Sequence, residues 1–149
     1  MGLNLGAFNT GDKESKFKAL IFDASGIAQS QDLQQLYAFF QPLMRQVSAS
    51  GRVVVVGLNP QQAKTVAQAT AQRALQGFVK SLAKELKKGI TAQLLYVDPD
   101  AEDHMESSLR FVLSPRSAYV SGQVLYIQHA QVQHIDWQQP LLGKTALVT

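Results

Sequence analysis

Apolar residues in this chain fall into short unbroken blocks and longer stretches in which they recur every three or four positions. The first block, FKALIFDASG from Phe17 to Gly26, ends in turn formers and predicts a buried strand. After it the period changes. Leu33, Leu36, Tyr37, Phe40, Leu43 and Val47 share one helical stripe, with Ser30 as a cap and Gly51 as the stop. Pro42 interrupts this stripe without ending it, which predicts a kinked helix. In GRVVVVGLN four consecutive valines leave no polar face, as in a parallel strand covered on both sides.

The helical period returns from Gln62 to Lys88, with Leu75, Phe78, Leu82 and Leu86 on its apolar stripe and Gly89 as its stop. TAQLLYVD predicts a third strand. A helix carrying Met105, Leu109, Val112 and Leu113 runs up to Pro115, and GQVLYIQHA predicts a fourth strand. The alternation implies an α/β domain with a mainly parallel sheet and flanking helices, a partial Rossmann- or flavodoxin-like three-layer fold. Residues 16–131 hold this domain. Residues 1–15, rich in Gly, Asn and Ser, are expected to be a flexible arm, and residues 132–143 a polar, proline-containing linker. KTALVT, residues 144–149, reads as the start of a further strand that is cut short.

With 149 residues and 46% apolar content the chain can bury one sizeable core. No apolar run approaches the length of about 18 residues that a membrane span needs, and the first residues lack the order of a signal peptide. The absence of cysteine removes disulfides, thiol nucleophiles and thiolate metal sites, and fits a cytoplasmic protein. The net charge of +3 is not concentrated in one tract. Lys80, Lys84, Lys87 and Lys88 complement a helix C-terminus, and no aromatic residues interleave with them to stack bases, so no nucleic-acid partner is expected.

Several motifs do not survive inspection. Gly2, Gly6 and Gly11 precede the first strand, whereas a dinucleotide fingerprint follows one. Gly143-Lys144-Thr145 lacks the upstream P-loop glycine, Gln138 standing in its place. His134 and Asp136 have no third ligand nearby, so no metal site is expected. Asp98, Asp100, Glu102 and Asp103 lead into a helix whose N-terminal dipole they complement.

From Phe17 to about Ala130 the chain resembles the second half of a short-chain dehydrogenase/reductase of the 3-oxoacyl-ACP reductase type. FDASGI stands where that family has its Asn-Asn-Ala-Gly strand end, and GRVVVVG where a strand leads to the catalytic serine. RALQGFVKSLAKELKKGIT matches the active-site helix and its exit, and RFVLSPRSAYVSGQVLYI the closing helix, turn and last strand. Aligned on Gly77-Phe78, Gln68 occupies the position of the family's tyrosine and Gln72 that of its lysine; the serine position falls at Leu58. Asp23 and Ala24 replace the asparagines, and Val97-Asp98 the Pro-Gly after the third strand. The strand, glycine loop and helix that cradle the pyrophosphate have no counterpart.

In the family the tyrosine protonates the carbonyl oxygen as hydride arrives, while the lysine lowers its pKa and holds the nicotinamide ribose. A glutamine amide does neither at neutral pH, and losing a positioned general acid costs about 10²–10⁴ in rate. The resemblance thus implies no catalytic, cofactor-binding or metal residues here, with Leu58, Gln68 and Gln72 as degenerate positions. The whole pattern is similar to the N-terminal, non-catalytic domain of high-molecular-weight, two-domain 3-oxoacyl-ACP reductases of fatty-acid biosynthesis. LLGKTALVT resembles the opening of their catalytic domain. That similarity implies a parent protein that reduces 3-oxoacyl thioesters with NAD(P)H and a C-terminal ketoreductase domain as partner. It also implies a homodimer built on the helix from Gln62 to Lys88 and the strand from Gly122 to Ile127, with no membrane contact. The alternative is a ligand-binding module that keeps a remodelled nucleotide or acyl-carrier site near Gly26, Gly57 and Asp98.

Overall fold

A computed structural model describes residues 16–131, 136, 138, 139 and 141–145. The expected arm, half of the expected linker and the expected last strand from residue 146 onward lie outside the described residues.

Four strands, β1 (Phe17–Asp23), β2 (Val47–Leu58), β3 (Thr91–Val97) and β4 (Gln123–Ile127), form one sheet in the order β1-β2-β3-β4. Every neighbouring pair is parallel. The connections carry α1 (Gln34–Leu43), α2 (Val66–Glu85) and α3 (Glu106–Leu113). The valine block explains why β2 lies inside the sheet. Val53 and Val55 join Leu94 and Tyr96 on the face covered by α1 and α2. Val54 and Val56 join Leu95, Val97 and Ile127 on the face that carries α3. Side chains alternate between faces along a strand, so a block without polar residues is stable only between two apolar layers. The three-layer α/β fold expected from the alternation is present.

Phe22, Phe39, Phe40 and Phe78 fill the space between β1, α1 and α2, with neighbouring ring centroids 4.9–5.9 Å apart. On the opposite face the Arg52 guanidinium, 5% exposed, donates to the carbonyl oxygens of Ser50, Gly51 and Ser114 at 2.8–3.4 Å. It fastens the exit of α3 to the start of β2's continuous ladder.

The element boundaries depart from the apolar stripes in three places. Pro42 sits in the last turn of α1, a 3-10 turn follows over Met44–Gln46, and Val47 already belongs to β2. No kinked helix runs through Val47, and Gly51 stops none. Gly51 instead lies where the register slips: Phe17 faces Val47, but Ala19 faces Arg52. A Cβ on Gly51 would come within 2.4 Å of Val47 Cγ1, so this bulge admits only a hydrogen. Periodicity misleads here because Val47 lies four residues after Leu43, a helical spacing, yet reaches its burial as the first residue of a strand.

Ser30 opens a 3-10 turn ahead of α1, and the Asp32 carboxylate does the capping by accepting from Ala28 N and Gln29 N at 3.1 Å each. α2 is shorter than Gln62 to Lys88: Thr65 caps it and it ends at Glu85. Gly89 is not its stop. With φ +69 and beside Lys88 at φ 58, it turns the chain into β3.

Candidate functional site

Open parallel sheets place ligands beyond the carboxyl ends of their strands. Here those ends are Asp23-Ala24 after β1, Gly57-Leu58-Asn59 after β2 and Val97-Asp98 after β3, with the first turns of α2 alongside.

Gln72 sits at the centre of this region, fully buried. Its Nε2 donates to Ala24 O and Ile27 O, each at 2.8 Å, with Ser25 O at 3.3 Å. Its Oε1 accepts from Leu58 N at 2.9 Å. One amide therefore closes the loop after β1 and the end of β2 onto α2. Gly57 makes this possible, since a Cβ there would stand 2.9 Å from that Oε1 and 2.7 Å from Leu75 Cδ1.

Gln68 has a different task. Its backbone N donates to Thr65 Oγ1 at 3.1 Å, and its Oε1 accepts from Lys64 N at 2.9 Å. The pair closes the N-terminus of α2 in the manner of a capping box, and Thr65-x-x-Gln68 is that motif's sequence signature. Leu58 is half-buried and offers only its backbone N to Gln72. The structure thus brings Leu58 and Gln72 into contact and leaves Gln68 turned toward its own helix end.

Two further groups order the same end of the sheet. Tyr96, fully buried on β3, donates its hydroxyl to Gln72 O at 2.6 Å. Burial first, and the neighbouring Tyr126 second, push its phenol from 10.0 up to about 12, with Arg73 pulling the other way. The folded value lies above the ordinary one, so the proton on Tyr96 stabilises the fold below pH 10, a contribution lost as the pH rises toward about 12. Tyr96→Phe is expected to cost about 0.5–1.5 kcal/mol at pH 8 by removing the hydroxyl's bond to Gln72 O, which keeps its partner within α2. In urea unfolding the gap between variant and parent should shrink between pH 10 and pH 11.5; a constant gap would show that this phenol does not titrate as its burial requires.

Asn59, 3% exposed, donates from Nδ2 to Asp98 Oδ1 at 2.7 Å and accepts from Gln61 N at 3.1 Å. It joins the ends of β2 and β3. No sequence signal marks it, because its partner is 39 residues away.

Between these loops and α3 lies a cleft of about 320 Å³. Ile21, Val56, Leu58, Met105, Leu109 and Leu113 provide apolar walls, and the carboxylates of Asp23, Asp98 and Glu102 stand among the lining groups. No lysine, arginine or histidine lines it. Asp98 and Glu102 therefore border a cavity as well as leading into the 3-10 turn before α3. Among the described residues no three His, Asp or Glu side chains are grouped to hold a metal ion. His134, half of the weighed His134–Asp136 pair, lies outside them. His104 and His129 meet edge-on with centroids 5.0 Å apart, a contact the sequence did not announce. No helix among the described residues is long and apolar enough to cross a membrane.

No protein-family model and no curated protein sequence matches the chain. Solved structures do. A short-chain dehydrogenase/reductase from Serratia marcescens superposes with a TM-score of 0.59 at 17% identity, covering 76% of this chain and 65% of its own. One from Brucella melitensis gives 0.61 at 12%, covering 76% and 63%. The enoyl-acyl-carrier-protein reductase of Plasmodium berghei gives 0.60 at 16%, covering 77% and 58%. The fold is that of the short-chain dehydrogenase/reductases. This chain spans less than two thirds of the length of those reductases. In this chain β1 to β4 are four consecutive parallel strands, and the strand ends described above form one rim of their sheet.

Proposed function

We propose that this chain is a non-catalytic, structural domain of a two-domain 3-oxoacyl-ACP reductase. The parent protein would reduce 3-oxoacyl thioesters with NAD(P)H in fatty-acid metabolism, through a C-terminal ketoreductase domain against which this one packs. The observation that carries the reading is the full commitment of Gln72. Both its amide hydrogens are held by backbone carbonyls and its oxygen by Leu58 N, leaving nothing to hold a ribose or to tune an acid. Gln68, at the proton donor's position, cannot donate a proton at neutral pH, and its oxygen caps α2. These residues do not fit a nicotinamide cofactor. The rival reading, a remodelled nucleotide or acyl-carrier site, is disfavoured by the three carboxylates of the cleft, which repel phosphates.

Self-association follows from the same architecture. Among the described residues the outer edge of β4 pairs with no strand, and Tyr119 and Tyr126 are exposed before and on β4. We therefore expect a homodimer. A monodisperse monomer in sedimentation at high concentration would count against it.

The test is an NADPH fluorescence titration of this chain together with acetoacetyl-CoA reduction on the same sample. The expected result is neither saturable binding nor turnover. Saturable binding without turnover would promote the ligand-module reading. Turnover that persists after Gln68→Ala and Gln72→Ala would overturn the assignment of both positions.

A further inference from the structure

The two ends of α3 are held differently. At its exit the fully buried Ser117 Oγ donates between Val112 O at 2.9 Å and Ser114 O at 3.0 Å, and Arg52 donates to the same Ser114 O. At its entrance the bonds are local: Ala101 N donates to Asp98 O, His104 N to Ala101 O and Met105 N to Glu102 O, at 3.0–3.1 Å. Beyond Asp98, whose N donates to Ile127 O at 2.9 Å, this turn meets the end of β4 through a ring contact, His104 against His129. α3 has eight residues and buries Val112 alone, near its exit. Its first turn therefore depends on what holds the residues ahead of it.

Histidine is the side chain that gains charge between about pH 8 and about pH 5. His104 is half-buried and His129 exposed, with ring centroids 5.0 Å apart and planes at 88°. Uncharged or with one proton shared, the edge of one ring is attracted to the face of the other. With both rings charged the contact is repulsive, and salt does little to screen it inside a Debye length of about 8 Å. The acidic groups nearby are Glu102 and Asp103 on the turn, Glu106 in the first turn of α3, and Asp98 and Asp100 after β3. From β4 to Ala130 the chain brings no charged side chain besides His129. Glu106 is taken by Arg110 at 2.8 Å and Asp98 accepts from Asn59 and Gln128, while among the described residues neither imidazole forms an ion pair. These carboxylates favour proton uptake at the pair without holding its two rings together.

We propose that the His104–His129 contact is a pH-sensitive latch on the N-terminal end of α3. At neutral pH it holds the turn against the end of β4. The second proton binds more readily with the rings apart, so opening is favoured as the pH falls. α3 then swings about its fixed exit, and the cleft walled by Met105 and Leu109 widens. Neither a cofactor nor a catalytic role enters this device, so it fails separately from the reductase assay.

Hydrogen exchange of the full chain, read as protection factors at about pH 7.5 and about pH 5, tests it. The amides from Leu109 to Leu113 should lose about tenfold in protection in acid, while those of Val54 and Leu95 in the sheet should keep theirs. His129→Phe keeps a ring against His104 that cannot take a charge. Its α3 amides should match those of the unaltered chain at the higher pH and show no fall at the lower. His129→Ala should weaken α3 at both. Unchanged protection of α3 in the unaltered chain, a fall that persists in His129→Phe, or full protection in His129→Ala would each overturn the latch. An equal fall in the sheet would overturn it as well, by assigning the effect to a general loosening in acid.

Discussion

Gln72→Leu should lower the melting temperature by about 10–15 °C, the largest effect expected of any side-chain polar group in this domain. Leucine nearly matches glutamine in size, so no cavity opens and the loss is of hydrogen bonds alone. Leu58 N, Ala24 O and Ile27 O would then face apolar surroundings without their amide partner. Ala24 O keeps its bond from Ile27 N at 3.1 Å, whereas Leu58 N and Ile27 O are left without a partner at about 1–3 kcal/mol each, so that the sum is about 3–5 kcal/mol. Gln72→Lys, which places there the residue type that the family resemblance implies, should also destabilise. An ammonium can donate to the carbonyls but faces the Leu58 N–H with no acceptor. It should not create NADPH binding either, because the ammonium would stay engaged with Ala24 O and Ile27 O. Urea and thermal unfolding measure the stability. A shift under about 3 °C for the leucine variant would mean that Gln72 is not the clamp joining β1, β2 and α2.

Gly57→Ala comes second, and its sign is the informative part. Glycine inside a strand is unfavourable by roughly 0.5–1 kcal/mol relative to alanine, so propensity alone predicts a more stable protein. The structure predicts the reverse. The new methyl would stand 2.7 Å from Leu75 Cδ1, 2.9 Å from Gln72 Oε1 and 3.3 Å from Tyr96 Cδ1. Leu75 and Gln72 are both fully buried, and Gln72 cannot retreat without releasing its partners. Overpacking and the strained amide together should cost about 2–4 kcal/mol. Gly77→Ala is the control: it lies on the exposed side of α2 with nothing within 4 Å of its Cβ position, and should stabilise by about 0.5–1 kcal/mol. Equal effects at Gly57 and Gly77 would show that the close approach of β2 to α2 does not govern stability.

Both expectations rest on partners that no local pattern reveals. Gln72 could be aligned with a reductase lysine from Gly77-Phe78 alone, yet the alignment says only what the residue is not. What it does depends on Ala24 and Ile27, which lie 48 and 45 residues away. Gln68 was nearer to legible. Thr65-x-x-Gln68 is a capping signature, and it marks the helix start at Thr65 rather than Gln62. The N-terminal boundary of β2 was harder. Val47 continues the α1 stripe at i+4, and only the pairing of Phe17 with Val47 makes it a strand residue.

The sequence by itself determined the alternation of strands and helices, the parallel sheet, the central place of the valine block and the absence of a titratable group at positions 58, 68 and 72. These are consequences of side-chain chemistry and of burial repeating at a short period, and both are written locally. The tertiary structure alone decided that Gln72 locks three segments together, that Asn59 holds Asp98, and that Asp23, Asp98 and Glu102 border one apolar cleft. Those groups come from separate crossovers. Their meeting depends on strand order and register, which set distances between residues far apart in the chain.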